Sequence, residues 1–128
     1  MLAFDACVLI AFLDSADVHH AKAHSIVLQS VGHERWASPV TLTEVLVAPA
    51  RAGQTAKAEE ALRALSISQV PMGSDTPRRL AVLRAETGLK LPDCCVLLAA
   101  QDAAADTIAT VDHRLERAAR ALGFKVLS

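Results

Sequence analysis

The chain has 128 residues, a formal net charge of −1 and 52% apolar residues, with no tyrosine. Ala, Leu and Val dominate, which suits helices packed on a small aliphatic sheet and argues against a β-sandwich, whose strands use more aromatic residues and Thr. No apolar run reaches the ~18 residues of a membrane span. Met1–Leu13 lacks a basic start and carries Asp5 mid-run, so it reads as core rather than as a signal peptide. Three cysteines, Cys7 and the adjacent pair Cys94-Cys95, supply no CxxC or disulfide framework, and the expected setting is the reducing cytoplasm.

In chain order, Leu2-Ala3-Phe4 reads as a short strand ending at Asp5, followed by a helix over Ala6–Leu13. A second helix is expected from Val18 to about Val31, with Ala21, Ile26, Val27 and Leu28 inward. Arg35–Ala37 is a second strand. Ser38-Pro39 then gives an N-cap followed by Pro at the first helical position, opening a helix over Val40–Ala48. A break near Arg51–Thr55 leads to a helix over Ala56–Leu65, and Ile67–Val70 is a third strand. Asp75–Thr87 is helical and stops at Gly88, a left-handed cap. Pro92 opens a helix through about Ala104, and Thr107–Val111 is a fourth strand. A last helix, Arg114–Leu122, stops at Gly123 before a final strand over Phe124–Leu127.

Short strands alternating with helices make an α/β domain with a mainly parallel sheet, expected as one domain over 1–128. In such folds ligands bind beyond the carboxyl ends of the strands. Asp5 and Asp112 both fall there.

Four acids stand out. Asp5 is the sole charge in Met1–Leu13, Glu44 in Trp36–Ala50 and Asp93 in Leu91–Gln101, while Asp112 follows the apolar strand. An unpaired carboxylate among aliphatic residues costs several kcal/mol, and a bound hard cation is a natural compensation. Oxygen-only ligands select Mg²⁺ or Mn²⁺ over zinc. Such ions could activate water and stabilise the leaving oxygen in phosphodiester cleavage. Each acid also has an ordinary reading. Asp93 after Pro92 suits the helix dipole, Asp5 and Asp112 could cap the helices that follow, and Arg35 or Arg51 could pair with Glu44. The joint pattern is more telling than any member. Asp102 lies across its helix from Asp93, free to be solvated.

Net charge by segment is −3 over 1–50, +3 over 51–90, −4 over 91–113 and +3 over 114–128. A basic rim around an acidic, metal-filled site would accept a phosphodiester, although solvated helix faces give the same counts. His20 and His24, at helical i,i+4 spacing, lack a third ligand and read as a helix face. Cys94 and Cys95 read as core fillers, and His113 as a surface residue. No GxGxxG, Walker or GxSxG motif is present.

The run Leu2-Ala3-Phe4-Asp5-Ala6-Cys7-Val8-Leu9-Ile10, then Thr43-Glu44-Val45-Leu46, Leu91-Pro92-Asp93 and Thr110-Val111-Asp112, resembles a PIN domain. More narrowly it resembles the VapC-type toxin of bacterial type II toxin–antitoxin pairs. The resemblance covers essentially the whole chain, including Asp17-Val18-His19-His20. It implies a three-layer α/β/α fold and a Mg²⁺- or Mn²⁺-dependent endoribonuclease. By the family pattern Asp5, Glu44, Asp93 and Asp112 would hold the metal and position the attacking water. It further implies a homodimer neutralised by a cognate VapB-type antitoxin. Two positions depart from that pattern. Cys7 stands where the family has Ser, Thr or Asn as a supporting side chain, and His113, Arg114 and Leu115 follow Asp112 where a further acid and an aromatic are usual. Thr110 keeps the hydroxyl before the fourth acid and could orient it. The alternative is a catalytically weak PIN-like module that binds RNA or protein, with Cys7 marking a decaying site.

Overall fold

The computed structural model describes all 128 residues. Five short strands, β1 (Leu2–Phe4), β2 (Arg35–Ala37), β3 (Ile67–Gln69), β4 (Thr107–Ala109) and β5 (Lys125–Leu127), form one sheet in the order β3-β2-β1-β4-β5, every pair parallel. The helices are α1 (Ala6–Leu13), α2 (His20–Gln29), α3 (Pro39–Arg51), α4 (Thr55–Ala64), α5 (Thr76–Thr87), α6 (Leu91–Asp102) and α7 (His113–Ala121). The architecture is the three-layer α/β/α arrangement.

Strand pleating divides the core in two. Leu2 and Phe4 point to one face, where they pack with Val8 and Leu9 of α1, Ile26 of α2, Val45 of α3 and Leu62 of α4. Ala3 and Ile108 point to the other, among Leu83 of α5, Leu97 of α6 and Leu115 of α7. The chain builds outward from β1 to β2 and β3, then returns to place β4 on the other side of β1. This is the topological switch point of a doubly wound sheet, where a crevice opens beyond the strand ends. Seven consecutive buried residues, Cys94–Ala100, carry α6 behind the middle of the sheet. No helix is long and apolar enough to cross a membrane.

Several boundaries differ from expectation, each for a local reason. The second helix starts at His20 because Asp17 folds the chain into a turn, its carboxylate accepting from the His19 amide at 2.8 Å. Its inward residues are Ala23, Ile26 and Val27, spaced i, i+3, i+4, whereas Ala21 and Leu28 face outward. Helix α3 continues through Pro49 to Arg51, held by packing against α1 and α4. Helix α6 ends at Asp102 because Ala104 has φ 53°, outside the helical region. Helix α5 stops at Gly88, with φ 69°, as expected. β4 ends at Ala109 because the next residue turns into the crevice: the Thr110 hydroxyl accepts the Asp112 amide at 3.0 Å.

Candidate active site

Asp5 follows β1 and occupies the N-cap position of α1, yet its side chain makes no capping bond. It is buried, and its Oδ2 accepts from the Thr110 hydroxyl at 2.7 Å and the Cys7 thiol at 3.0 Å. Pairing of β1 with β4, which sets Phe4 against Ala109, delivers Thr110 to Asp5 across 105 residues of sequence. Thr110 thus holds the carboxylate of Asp5 and the backbone of Asp112 together. Its bond to Asp112 is to the amide, not to the carboxylate that the sequence suggested it might orient.

The Cys7 thiol lies 3.6 Å from the Thr110 hydroxyl. Burial, followed by the charge of Asp5 and the hydrogen bond to it, pushes this thiol up to about 12. At neutral pH it is a protonated donor aimed at Asp5, the part a hydroxyl plays elsewhere.

Asp112 lies three residues past β4 and caps α7. One oxygen, Oδ1, accepts the amides of Arg114 at 2.8 Å and Leu115 at 3.2 Å. The capping role anticipated for Asp112 is therefore real, and it leaves Oδ2 without a bond. Asp93 lies in the first turn of α6, close to the helix N-terminus. Its carboxyl is nevertheless pushed up to about 6, first by burial and then by the charges of Asp5, Asp112 and Glu44, with Lys90 partly opposing them. Glu44, in the second turn of α3, is also raised by burial and by Asp5. All three other acids act on Asp93, so the four carboxylates share one electrostatic neighbourhood at the carboxyl end of the sheet.

Their surroundings are less uniformly apolar than the sequence suggests. Glu44 and Asp112 are largely exposed, and Asp93 is half-buried. Ala and Val line both faces of α3, which disguised its exposed side. Neither Arg35 nor Arg51 pairs with Glu44. Arg35 instead bonds the Ser30 hydroxyl and the carbonyls of Leu65 and Val27. None of the four acids takes part in any of the chain's ion pairs. Asp102 is exposed, as expected, and also pairs with Arg79 at 2.6 Å. Lys90 stands three residues before Asp93 and partly opposes its rise, a role that no motif in the sequence signals.

The remaining candidates resolve into structure. His20 places Nδ1 2.7 Å from the Ala11 carbonyl, and the His24 ring stacks on Phe12 with centroids 6.0 Å apart. Cys94 and Cys95 are buried, and His113 is exposed at the start of α7. The largest cavity, about 540 Å³, opens beside Trp36 at the amino ends of β2 and β3, and none of the four acids lines it. A smaller cleft of about 300 Å³ opens beside Glu44 between Ile10, Leu13 and Pro49.

No three His, Cys, Asp or Glu side chains approach closely enough to ligate a single ion directly. That spacing excludes a closed structural zinc site, which needs four direct ligands. It is compatible with Mg²⁺, which keeps several waters and uses only one or two protein carboxylates. The all-oxygen donor set and the unbonded Asp112 Oδ2 fit the same kind of ion.

Residues 2–121 match the family model described as the PIN domain. Among solved structures, the chain is similar to a toxin–antitoxin complex from Klebsiella pneumoniae, at 26% identity and TM-score 0.73, covering 91% of this chain and 90% of that one. It is also similar in fold to Mycobacterium tuberculosis VapC20, described as a sarcin-ricin loop cleaving toxin, at 15% identity and TM-score 0.74 (97% and 96% covered). FitAcB from Neisseria gonorrhoeae shares the fold at 16% identity and TM-score 0.65 (100% and 97% covered). No curated protein matches the sequence significantly. With a family model spanning nearly its whole length, the chain belongs to the PIN-domain family.

Proposed function

We propose that this protein is a metal-dependent endoribonuclease toxin of the VapC type. In this reading Asp5, Glu44, Asp93 and Asp112 form the catalytic and metal-holding set, with Mg²⁺ or Mn²⁺ as the cofactor. The observation that carries the proposal is the Thr110 hydroxyl tying the Asp5 carboxylate at 2.7 Å to the Asp112 amide at 3.0 Å, beside which the charges of all three other acids raise Asp93. Four like charges gathered without an ion-pair partner favour the binding of a cation. PIN domains are nucleases, and the similarity to a toxin–antitoxin complex points to the toxin branch.

A bound divalent ion would supply charge stabilisation at the phosphodiester and lower the pKa of an attacking water. The chain's own residues provide the rest. Thr110 and Cys7 occupy Oδ2 of Asp5 and fix its orientation, leaving Oδ1 without a hydrogen bond. The α7 amides restrain Asp112 in the same way through Oδ1. Asp93 and Glu44, from α6 and α3 on the other two sides, complete the cation-holding set and orient water for in-line attack. We further propose that one domain covers residues 1–128. On this reading the protein works in the cytoplasm as a homodimer, and a cognate VapB-type antitoxin neutralises it.

The test is cleavage of RNA with Mg²⁺ or Mn²⁺, together with growth arrest on induced expression. EDTA, Asp5→Asn and Asp93→Asn should each abolish cleavage, and Asp93→Asn should relieve the arrest. Robust metal-dependent cleavage by both variants would remove these acids from the mechanism. A wild-type protein that binds RNA but neither Mn²⁺ nor cleaves would favour the binding-module alternative. The thiol donating to Asp5 at 3.0 Å argues against decay at Cys7.

A further inference from the structure

A groove of about 470 Å³ runs between the C-terminal end of α5 and the outer face of α7. Its floor is apolar, formed by Leu89, Ala118, Ala121 and Leu122, and Leu122 is 41% exposed. Arg114 and Arg117, both exposed, also line it, with Glu86 as its single acid. Arg114, Arg117, Ala118 and Ala121 follow helical spacing i, i+3, i+4, i+7, so one stripe of α7 makes the wall. Arg79 and Arg120 are committed to Asp102 and Glu116, whereas neither groove arginine has an ion-pair partner.

The groove's lining stands close in sequence to two of the four acids, Arg114 two residues after Asp112 and Leu89 four before Asp93. On one lip the Arg114 amide bonds the carboxylate of Asp112. On the other, Leu89 is followed by Lys90, three residues before Asp93. A polyanion nearing four carboxylates is repelled unless positive charge flanks its path. Two unpaired arginines spaced along one helix stripe beside an apolar surface suit the backbone of a single strand, its phosphates on the guanidinium groups.

Building on the ribonuclease reading, we propose that this groove is the track for single-stranded RNA on one side of the scissile bond, with Arg114 and Arg117 as its phosphate-binding residues. The apolar floor imposes no hydrogen-bond readout, so the track contributes affinity and register rather than base choice.

The experiment measures binding of a labelled, mixed-sequence single-stranded RNA by fluorescence anisotropy across a range of salt concentrations, in Mg²⁺. An Asp93→Asn background prevents cleavage. Each phosphate contact contributes a slope of about −0.7 in log K against log salt. Replacing both Arg114 and Arg117 by Gln should therefore flatten the slope by roughly 1.4, and replacing both by Lys should largely restore it. Replacing Lys57 and Arg63 of α4 by Gln, far from the groove, should leave it unchanged. Arg114 and Arg117 are exposed, so their substitution leaves the fold intact, as thermal unfolding would verify. An unchanged slope, even with weaker binding, overturns the track and leaves the groove to an acidic protein segment. Cleavage by the wild-type enzyme, measured alongside, separates the two ideas. Cleavage with an unaltered slope sinks the track alone, while absence of both RNA binding and cleavage sinks the ribonuclease reading with it.

Discussion

Replacing Asp93 by Asn should stabilise the metal-free protein while damaging its function. Asp93 rises from 3.8 to about 6 through burial and the charges of Asp5, Asp112 and Glu44. Converted at 1.36 kcal/mol per pH unit, that rise sets a ceiling of roughly 3 kcal/mol on the cost of ionising it in the folded state. Asp93 is only half-buried, and solvent and salt screen the repulsion, so about 1 kcal/mol is the realistic figure. The sign follows from linkage. A carboxyl raised on folding supports the fold below its unfolded pKa and loses that contribution as pH climbs through about 6. Asn never ionises, so the variant's advantage should appear between about pH 4 and 6 and level off above. For a domain of this size, about 1 kcal/mol corresponds to roughly 3–5 °C in melting temperature.

The assay is thermal unfolding in EDTA across that pH range, repeated with Mn²⁺. In EDTA at pH 8 the variant should melt higher, and at pH 4 the two should coincide. Saturating Mn²⁺ should reverse the order, because an ion at a hundredfold over its Kd adds about 2.7 kcal/mol to a protein that binds it only when folded. The reasoning is refuted if Asp93→Asn is no more stable than wild type at pH 8 in EDTA, or if its advantage is as large at pH 4.

Thr110→Val should cost about 2–3 kcal/mol, because the isosteric change leaves the Asp112 amide without its partner and weakens the restraint on Asp5. It should also lower Mn²⁺ affinity roughly 10–100-fold, the usual effect of removing a residue that orients a ligand; Thr110→Ser should behave like wild type in both calorimetry and urea unfolding. Cys7→Ser keeps a donor to Asp5 and should retain Mn²⁺ binding and stability to within about 1 kcal/mol, whereas Cys7→Ala should weaken Mn²⁺ binding. With its thiol pushed up to about 12, Cys7 should resist maleimide at pH 8 in the folded protein and react promptly once denatured, as mass spectrometry of timed samples would show.

The sequence disclosed most where a signal was local. Asp5 at the end of an apolar strand, Ser38-Pro39 at a helix start and Gly88 at a helix end are each readable within a few residues, and all three stand as expected. Helix α3 was harder, because Ala and Val on both faces erase the periodicity that separates inside from outside. Its exposed side, which carries Glu44, therefore read as apolar all round. The pairing of Thr110 with Asp5 could not be seen at all. It depends on β4 lying beside β1, a neighbour relation created by the crossover and recorded in no local pattern. Its only trace was a hydroxyl two residues before Asp112.

The same topology explains why the charge tension settles on one residue. The switch point places the ends of β1 and β4 side by side, so Asp5 and Asp112 are brought together by the sheet itself. Each has local help: Asp5 from a hydroxyl and a thiol, Asp112 from two helix amides. Glu44 is exposed on α3, so water partly shields it, although burial and Asp5 still raise it. Asp93 has the α6 dipole and the partial opposition of Lys90, and these do not offset its burial and three like charges. A divalent cation between Asp93 and the other acids would relieve that repulsion for all of them at once, since each then faces a positive neighbour. The uncompensated charge lies where the crevice opens and where Arg114 and Lys90 begin the basic lips. On the proposed reading, substrate and ion would meet that repulsion at one end of the sheet, and a variant that relaxes the repulsion should lose the ion with it.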